Sequence, residues 1–270
     1  WFLPSYPEEG AAEETQQERS GANVQTTLRR TVALTGTGLH TGRPVRVTLS
    51  PAAAEFGIWF RRTDVQAVDP YIPALWDRVE AAPLCTRLVN DSGVPVSTVE
   101  HLMAALAGCG IHNAMIDVSG PEVPILDGSG APFAQAILAA GARRLDVPVR
   151  ALRVLRPVEV EAPGGARARL EPAETLSITF EIAFADSAIG RQRHALDMSN
   201  GSFVRELCDS RTFCRSADID TMRAAGLARG GSFDNAVVVD GERVLTPGGL
   251  RHPDEPVRHK MLDALGDLAL

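Results

Sequence analysis

The chain has 270 residues and a mass of 28.8 kDa, enough for one large domain or two small ones. Hydrophobic residues make up 44% and charged residues 23%, the balance of a folded globular protein, which excludes disorder of the whole chain. The net charge of −7 argues against binding nucleic acid through bulk charge, and no apolar stretch approaches the ~18 residues of a membrane-spanning helix. Aromatic residues are only 5%, so aliphatic side chains must build the core. Cys85, Cys109, Cys208 and Cys214 contain no C-x-x-C pair, which fits neither a zinc ribbon nor a disulfide framework and points to a reducing compartment.

In chain order, residues 1–24 read as a tail, with Trp1-Phe2-Leu3-Pro4 followed by five glutamates and no secretory signal. Thr31-Val32-Ala33-Leu34 is a strand leading into a glycine loop, Gly36 to Gly42. That loop lies between strands and lacks the G-x-G-x-x-G spacing, so a dinucleotide site is not expected there. Val45-Arg46-Val47-Thr48-Leu49 alternates with period two, and Gly57 to Arg61 is another strand. Leu88-Val89 and Val94-Pro95-Val96 flank a turn at Asn90-Asp91-Ser92-Gly93. Ser97-Thr98-Val99-Glu100 has capping-box spacing, so a helix is expected to start there and to stop near Gly108 and Gly110. Ala114 to Val118 reads as a strand and Pro132 to Leu138 as a helix. The charged, proline-bearing stretch from Arg143 to Pro148 reads as a domain boundary. Beyond it come strands (Val154-Leu155, Val158 to Val160, Ala166 to Leu170, Leu176 to Ile182) and then helices (about Phe203 to Leu207, Ala217 to Ala225, Pro256 to Leu268). Strands then helices, twice over, predict an α+β fold of two units, residues 25–146 and 147–270.

The most informative spacing is His259-Lys260-Met261-Leu262-Asp263. On a helix His259 and Asp263 are i and i+4, with Cβ atoms roughly 5–6 Å apart on one face. Imidazole and carboxylate are both zinc ligands, and His101 is the best third donor. Two histidines and one aspartate leave a zinc position open for water, and zinc lowers that water's pKa toward ~7. Glu100, beside His101, can then act as general base. Taken alone, an H-x-x-x-D pair is more often a surface ion pair, and a Glu-His at a helix start is more often a cap beside a half-buried histidine.

Further motifs stand in order along the chain. Thr35 to Gly42 and Leu84-Cys85-Thr86 come first. Ser97-Thr98-Val99-Glu100-His101-Leu102 runs on through Ala104 to Gly108, and then Pro121 to Ser129 and Ala131-Pro132-Phe133. Later come Arg211-Thr212-Phe213, Gly230 to Asp234, and Val257 to Leu268. Together they resemble the LpxC family, the zinc-dependent UDP-3-O-acyl-N-acetylglucosamine deacetylases of lipid A biosynthesis, over residues 26–270. The resemblance implies two similar domains, each a β-sheet with two main helices, packed as two-layer α/β sandwiches with the helices meeting centrally. It implies one Zn2+ per chain on His101, His259 and Asp263, with Fe2+ an alternative for the same donors. Glu100 would activate the water, Thr212 would donate to the developing oxyanion, and Asp267 would orient the catalytic histidine. Lys260 would meet the substrate's phosphates or sugar. Phe213, Ile219 and Gly231 would line the acyl passage, and Phe184 would stack on uracil. The expected substrate is UDP-3-O-acyl-N-acetylglucosamine. The expected enzyme is a cytoplasmic monomer, without nucleic acid and without stable membrane insertion.

Three departures from the family pattern stand out. Ala185-Asp186-Ser187 around Phe184 is unusual, and Arg215 stands where an aromatic is common. The family also continues past the Val257–Leu268 motif with a strand and a glycine-histidine motif whose histidine acts on the leaving amine. The histidines here are His40, His101, His112, His194, His252 and His259, none of them after Asp267. The second domain is therefore expected to be incomplete, with lower stability and slower turnover. The alternative function is a fragment that binds zinc and the UDP-sugar without useful turnover. A zinc protease is disfavoured, because H-E-x-x-H is absent. Cys85 is expected to neighbour the metal rather than bind it, and His40 and His112 to be loop or structural histidines.

Overall fold

The computed structural model describes residues 24–162, 164–199 and 201–270. The expected acidic tail lies outside these residues except for Val24, which opens the first strand. The elements of the first half are β1 (Val24–Leu28), β2 (Val32–Thr37), β3 (Pro44–Pro51), β4 (Ile58–Arg62), β5 (Tyr71–Pro73), β6 (Val79–Glu80), β7 (Arg87–Val89), β8 (Pro95–Ser97), α1 (Glu100–Gly108), β9 (Ala114–Val118), α2 (Ala131–Ala140) and β10 (Ala142–Pro148). The second half holds β11 (Val158–Glu161), β12 (Arg167–Leu170), β13 (Ser177–Ala183), β14 (Arg191–Asp197), a π-helical turn (Phe203–Leu207), β15 (Phe213–Arg215), α3 (Ser216–Ala224), β16 (Val237–Asp240), β17 (Arg243–Val244) and α4 (Glu255–Asp267).

The fold is α+β, with sheets laid against helices in both halves. In the first half β2-β3-β9-β4-β5 form one sheet, in which β9 runs antiparallel to β3 and parallel to β4. The period-two pattern of these strands decides which face is buried. Val45, Val47 and Leu49 point inward from β3, and Ala114, Ile116 and Val118 from β9. Register pairs Val47 with Val118 and Leu49 with Ile116, so the inward residues form one continuous apolar face. Leu102, Met103 and Leu106 of α1 and Phe133 and Ile137 of α2 cover that face. Met261, Leu262 and Leu265 of α4 join the same core, although α4 belongs to the second half. A smaller core gathers Ile182, Ile189, Val237, Val239 and Val257.

Helices α1 and α4 pack directly on each other. Gly266 permits this, because a Cβ there would collide with the backbone carbonyl oxygen of Glu100. A close approach of the two halves therefore falls beside Glu100.

Several expected elements differ in the structure. The stretch from Arg143 to Pro148, where the boundary between the two units is expected, is itself strand and forms most of β10, which pairs antiparallel with β1. Its charges sit on an exposed strand, and strand pairing tolerates them. Val154-Leu155 forms no strand, and Leu152 and Leu155 are fully or largely exposed. Phe203–Leu207 is π-helical, with the Cys208 N–H reaching the Phe203 carbonyl at 2.8 Å. The hairpin at Asn90–Gly93 forms as expected, with Leu88 opposite Val96.

The capping box at Ser97 does not form. The helix begins later, Val99 is its N-cap residue, and no side chain caps it. The Ser97 N–H, which Glu100 would have to accept in a capping box, instead donates to the Pro121 carbonyl at 2.9 Å. Between them Thr98 has φ of 58°, a left-handed conformation that is costly for a β-branched residue. This turn swings the chain out of the strand and releases Glu100 from capping.

Candidate active site

Helix α4 carries two of the three expected ligands one turn apart, and α1 brings the third at its first turn. Oδ1 of Asp263 lies 3.4 Å from Nε2 of His101 and 3.4 Å from Nε2 of His259. The two imidazoles meet edge to face with centroids 4.9 Å apart. One ligand atom from each of the three residues lies within 4.8 Å of the other two. All this is deeply placed, with His259 1% and His101 4% exposed.

The polar groups at this point are not satisfied by protein. Oδ1 of Asp263 is buried without a hydrogen-bond partner, as is Nδ1 of His101. Oδ2 of Asp263 is occupied by Nζ of Lys260 at 2.8 Å. Nδ1 of His259 lies 2.9 Å from the carbonyl oxygen of Ser210, so that nitrogen carries the proton and Nε2 presents its lone pair to the cluster. Burial holds His259 well below its usual value, at about 4, so it is neutral at pH 7. Burial opposes ionisation of Asp263, but His259 and Lys260 outweigh it and keep the carboxyl below its ordinary range. Two imidazoles and a carboxylate converging with unpaired acceptors make a donor set that a divalent cation fits.

Glu100 stands beside this set, 7% exposed, with Oε2 accepting the backbone N–H of Thr86 at 3.0 Å. Burial pushes its carboxyl up to about 7, with His101 opposing and Asp263 adding. The Thr86 hydroxyl donates to Oδ1 of Asp267 at 2.6 Å. Asp267 thus reaches the site through Thr86, and no hydrogen bond between it and a histidine is present among the described residues. Cys85 is a neighbour of Glu100 with a thiol pushed up by burial, and it is outside the ligand cluster.

A cavity of about 920 Å³ opens from the cluster, walled by Glu100, Thr212, Lys260, Asp263 and Asp267 at its polar side. Phe184, Phe213, Ile219 and Gly231 line the same cavity, so every expected substrate-contacting residue faces one space. Phe184 and Phe213 pack edge to face at 5.4 Å, and Nζ of Lys260 sits 5.7 Å above the Phe213 ring. The backbone N–H of Thr212 donates to the Gly128 carbonyl at 2.8 Å. Gly128 has φ of 84° and no room for a side chain against the Asn235 carbonyl, which accounts for the glycine in the Asp127-Gly128 turn. His40, expected to be a loop or structural histidine, also lines the cavity, with Nε2 buried and unpartnered.

A family model described as UDP-3-O-acyl N-acetylglycosamine deacetylase matches residues 25–270. The chain belongs to the LpxC family. A protein of Phenylobacterium zucineum (strain HLK1) named UDP-3-O-acyl-N-acetylglucosamine deacetylase is 49% identical over 244 residues, covering 90% of this chain and 83% of that protein. Proteins of the same name from Shewanella sp. (strain W3-18-1) and Shewanella oneidensis are each 46% identical over 246 residues, 90% of this chain and 80% of theirs. Arg215 and Asp186, the two internal positions expected to depart from the family pattern, meet in space. Nε of Arg215 is 2.5 Å from Oδ2 of Asp186, whose Oδ1 accepts the Gly241 N–H at 3.0 Å. Arg215 lines the cavity, so this ion pair fixes a charged side chain at its wall beside Ile219 and Phe213.

Other supporting residues escaped the reading of the sequence. Glu122 is buried and accepts from the His40 N–H, the Thr41 N–H and hydroxyl, and the Thr98 hydroxyl. It ties the glycine loop to the turn that launches α1. Its only sequence signal was its place in the Pro121–Ser129 motif, which says nothing about partners 80 residues away.

Proposed function

We propose that the chain is a zinc-dependent deacetylase that hydrolyses the acetamide of a UDP-3-O-acyl-N-acetylglucosamine to acetate and the free amine. The observation that carries this reading is the convergence of His101, His259 and Asp263, with an unpaired carboxylate oxygen between the two imidazoles and Glu100 alongside. Those three residues would hold the zinc; a zinc ion there makes water more acidic and polarises a carbonyl.

The chain's own residues supply the rest. Glu100 accepts the water's proton and, held by the Thr86 N–H, keeps its carboxylate in one orientation. Thr212 offers its hydroxyl to the oxygen that becomes negative as the acetamide is attacked. Lys260 places a positive charge at the cavity's polar wall, suited to a sugar or phosphate oxygen. Phe213, Ile219 and Gly231 receive the acyl chain on the apolar wall, and Phe184 offers an aromatic face to uracil. Asp267 acts through Thr86, whose hydroxyl it holds. Residues 25–146 and 147–270 are read as two domains sharing the α1–α4 contact. A UDP-linked substrate goes with a cytoplasmic enzyme, and the reading needs one chain and no nucleic acid.

The test is amine release from UDP-3-O-acyl-N-acetylglucosamine by the chain loaded with one equivalent of zinc. Activity should disappear with a chelator and return with zinc. Zinc and UDP-sugar binding without amine release would instead establish the alternative, a chain that binds without turnover. Restoration by Fe2+ alone would replace zinc in the reading and keep the rest.

A further inference from the structure

Arg211 and Glu255 form the most deeply buried arginine–carboxylate pair among the described residues, with the Glu255 side chain 0% and the Arg211 side chain 8% exposed. Glu255 is saturated. Oε1 accepts the Arg211 backbone N–H at 2.9 Å and Nε at 2.9 Å, while Oε2 accepts Nη2 at 3.1 Å and the Arg251 N–H at 2.7 Å. Arg211 Nη2 also donates to the Gly249 carbonyl at 2.8 Å.

The placement matters more than the pairing. Glu255, His259 and Asp263 are i, i+4 and i+8 on α4, so they form one row along the helix. The segment Ser210-Arg211-Thr212 lies across that row. Arg211 grips Glu255, the Ser210 carbonyl takes the Nδ1–H of His259, and Thr212 faces the cavity. On its other side the Thr212 N–H is held by the Gly128 carbonyl.

Buried ion pairs are a weak source of stability, because desolvation offsets most of their attraction. A fully satisfied bidentate pair does fix register, since the planar guanidinium fork allows one geometry. We propose that Arg211 and Glu255 are positioning residues, a clamp that sets the Ser210 carbonyl against His259 and the Thr212 hydroxyl in the cavity wall. This rests on the zinc deacetylase reading, and it adds a cause for the arginine in the Arg211-Thr212-Phe213 motif.

Three variants of the full chain test it: Arg211→Lys, Arg211→Met, and Arg211→Met combined with Glu255→Gln. Each is measured for melting temperature without metal, zinc affinity by chelator competition, and kcat and KM for amine release. Arg211→Met leaves a buried carboxylate unpaired and should melt much lower; adding Glu255→Gln should recover most of that loss. Positioning requires that zinc affinity and kcat stay ~10–100-fold below the parent in the double variant, as for other groups that orient metal ligands. Recovery of both along with the melting temperature would overturn the proposal. If neither methionine variant folds, Arg211→Lys decides. It should melt within a few degrees of the parent with KM within about twofold and kcat at least ~10-fold lower, and an unchanged kcat sinks the clamp. If the parent binds zinc but releases no amine, the deacetylase reading fails separately, and the zinc-affinity ratio alone judges the clamp.

Discussion

The two helices that meet at the site reach it by opposite means. Helix α4 is regular over 13 residues and presents its groups at helical spacing, with Glu255, His259 and Asp263 in one row. Helix α1 is nine residues long, has no side-chain cap, and starts from a left-handed Thr98. One helix offers ligands by periodicity; the other is aimed by a strained turn and by long-range hydrogen bonds to Thr86 and Glu122. Metal ligands can come from periodicity, because a helix holds i and i+4 side chains at a fixed distance. The proposed base, Glu100, has to be free of capping and buried beside the three converging side chains, and the strained entry provides both.

That contrast can be broken at several points. The largest effect is expected at the row on α4. His259→Ala should abolish stoichiometric zinc binding, checked by metal analysis after gel filtration, and amine release should fall to background. Next comes Glu100→Gln, which removes the proposed base and leaves His101, His259 and Asp263 in place. Zinc content should stay near one per chain while kcat drops by ~10²–10⁴; loss of zinc along with kcat would make Glu100 part of the metal's support instead.

Gly266→Ala tests the contact between the helices. The new Cβ would run into the Glu100 carbonyl oxygen, which is backbone and cannot swing aside. Overpacking of this kind costs ~1–3 kcal/mol, read as a lower melting temperature, and kcat should fall with it because Glu100 moves. The smallest effect is expected at Thr98→Gly. Relief of the left-handed strain, worth ~1–2 kcal/mol, is offset by loss of the hydroxyl bond to Glu122 and by glycine's entropy, so stability should change by less than about 1 kcal/mol. A strong loss would show that the Glu122 bond, not the backbone conformation, dominates the turn.

Legibility followed the range of the interactions. The strands β3 and β9 and the helix α4 were readable because alternation and i, i+4 spacing are local, and burial follows from them. The strand β10 was not legible, because its charges mask a pairing with β1 more than 100 residues earlier. The capping box at Ser97 failed for the same kind of reason. A local preference worth ~1 kcal/mol was outcompeted by the bond from Ser97 to Pro121 and the core around Val99. Arg215 and Asp186 each looked like an isolated oddity in one dimension and are a single ion pair in three.

What the amino-acid order determined by itself was the chemistry on offer: a His259–Asp263 pair at helical spacing, a Glu100–His101 pair, and the motifs that mark the LpxC family. Only the tertiary structure decided that these groups share one point, that Asp263 stands unpaired between two imidazoles, and that Arg211 grips the first turn of the ligand helix. The reason is physical. Side-chain type and local periodicity are written residue by residue, whereas an unsatisfied buried acceptor exists only where packing has stripped away water and brought distant segments together.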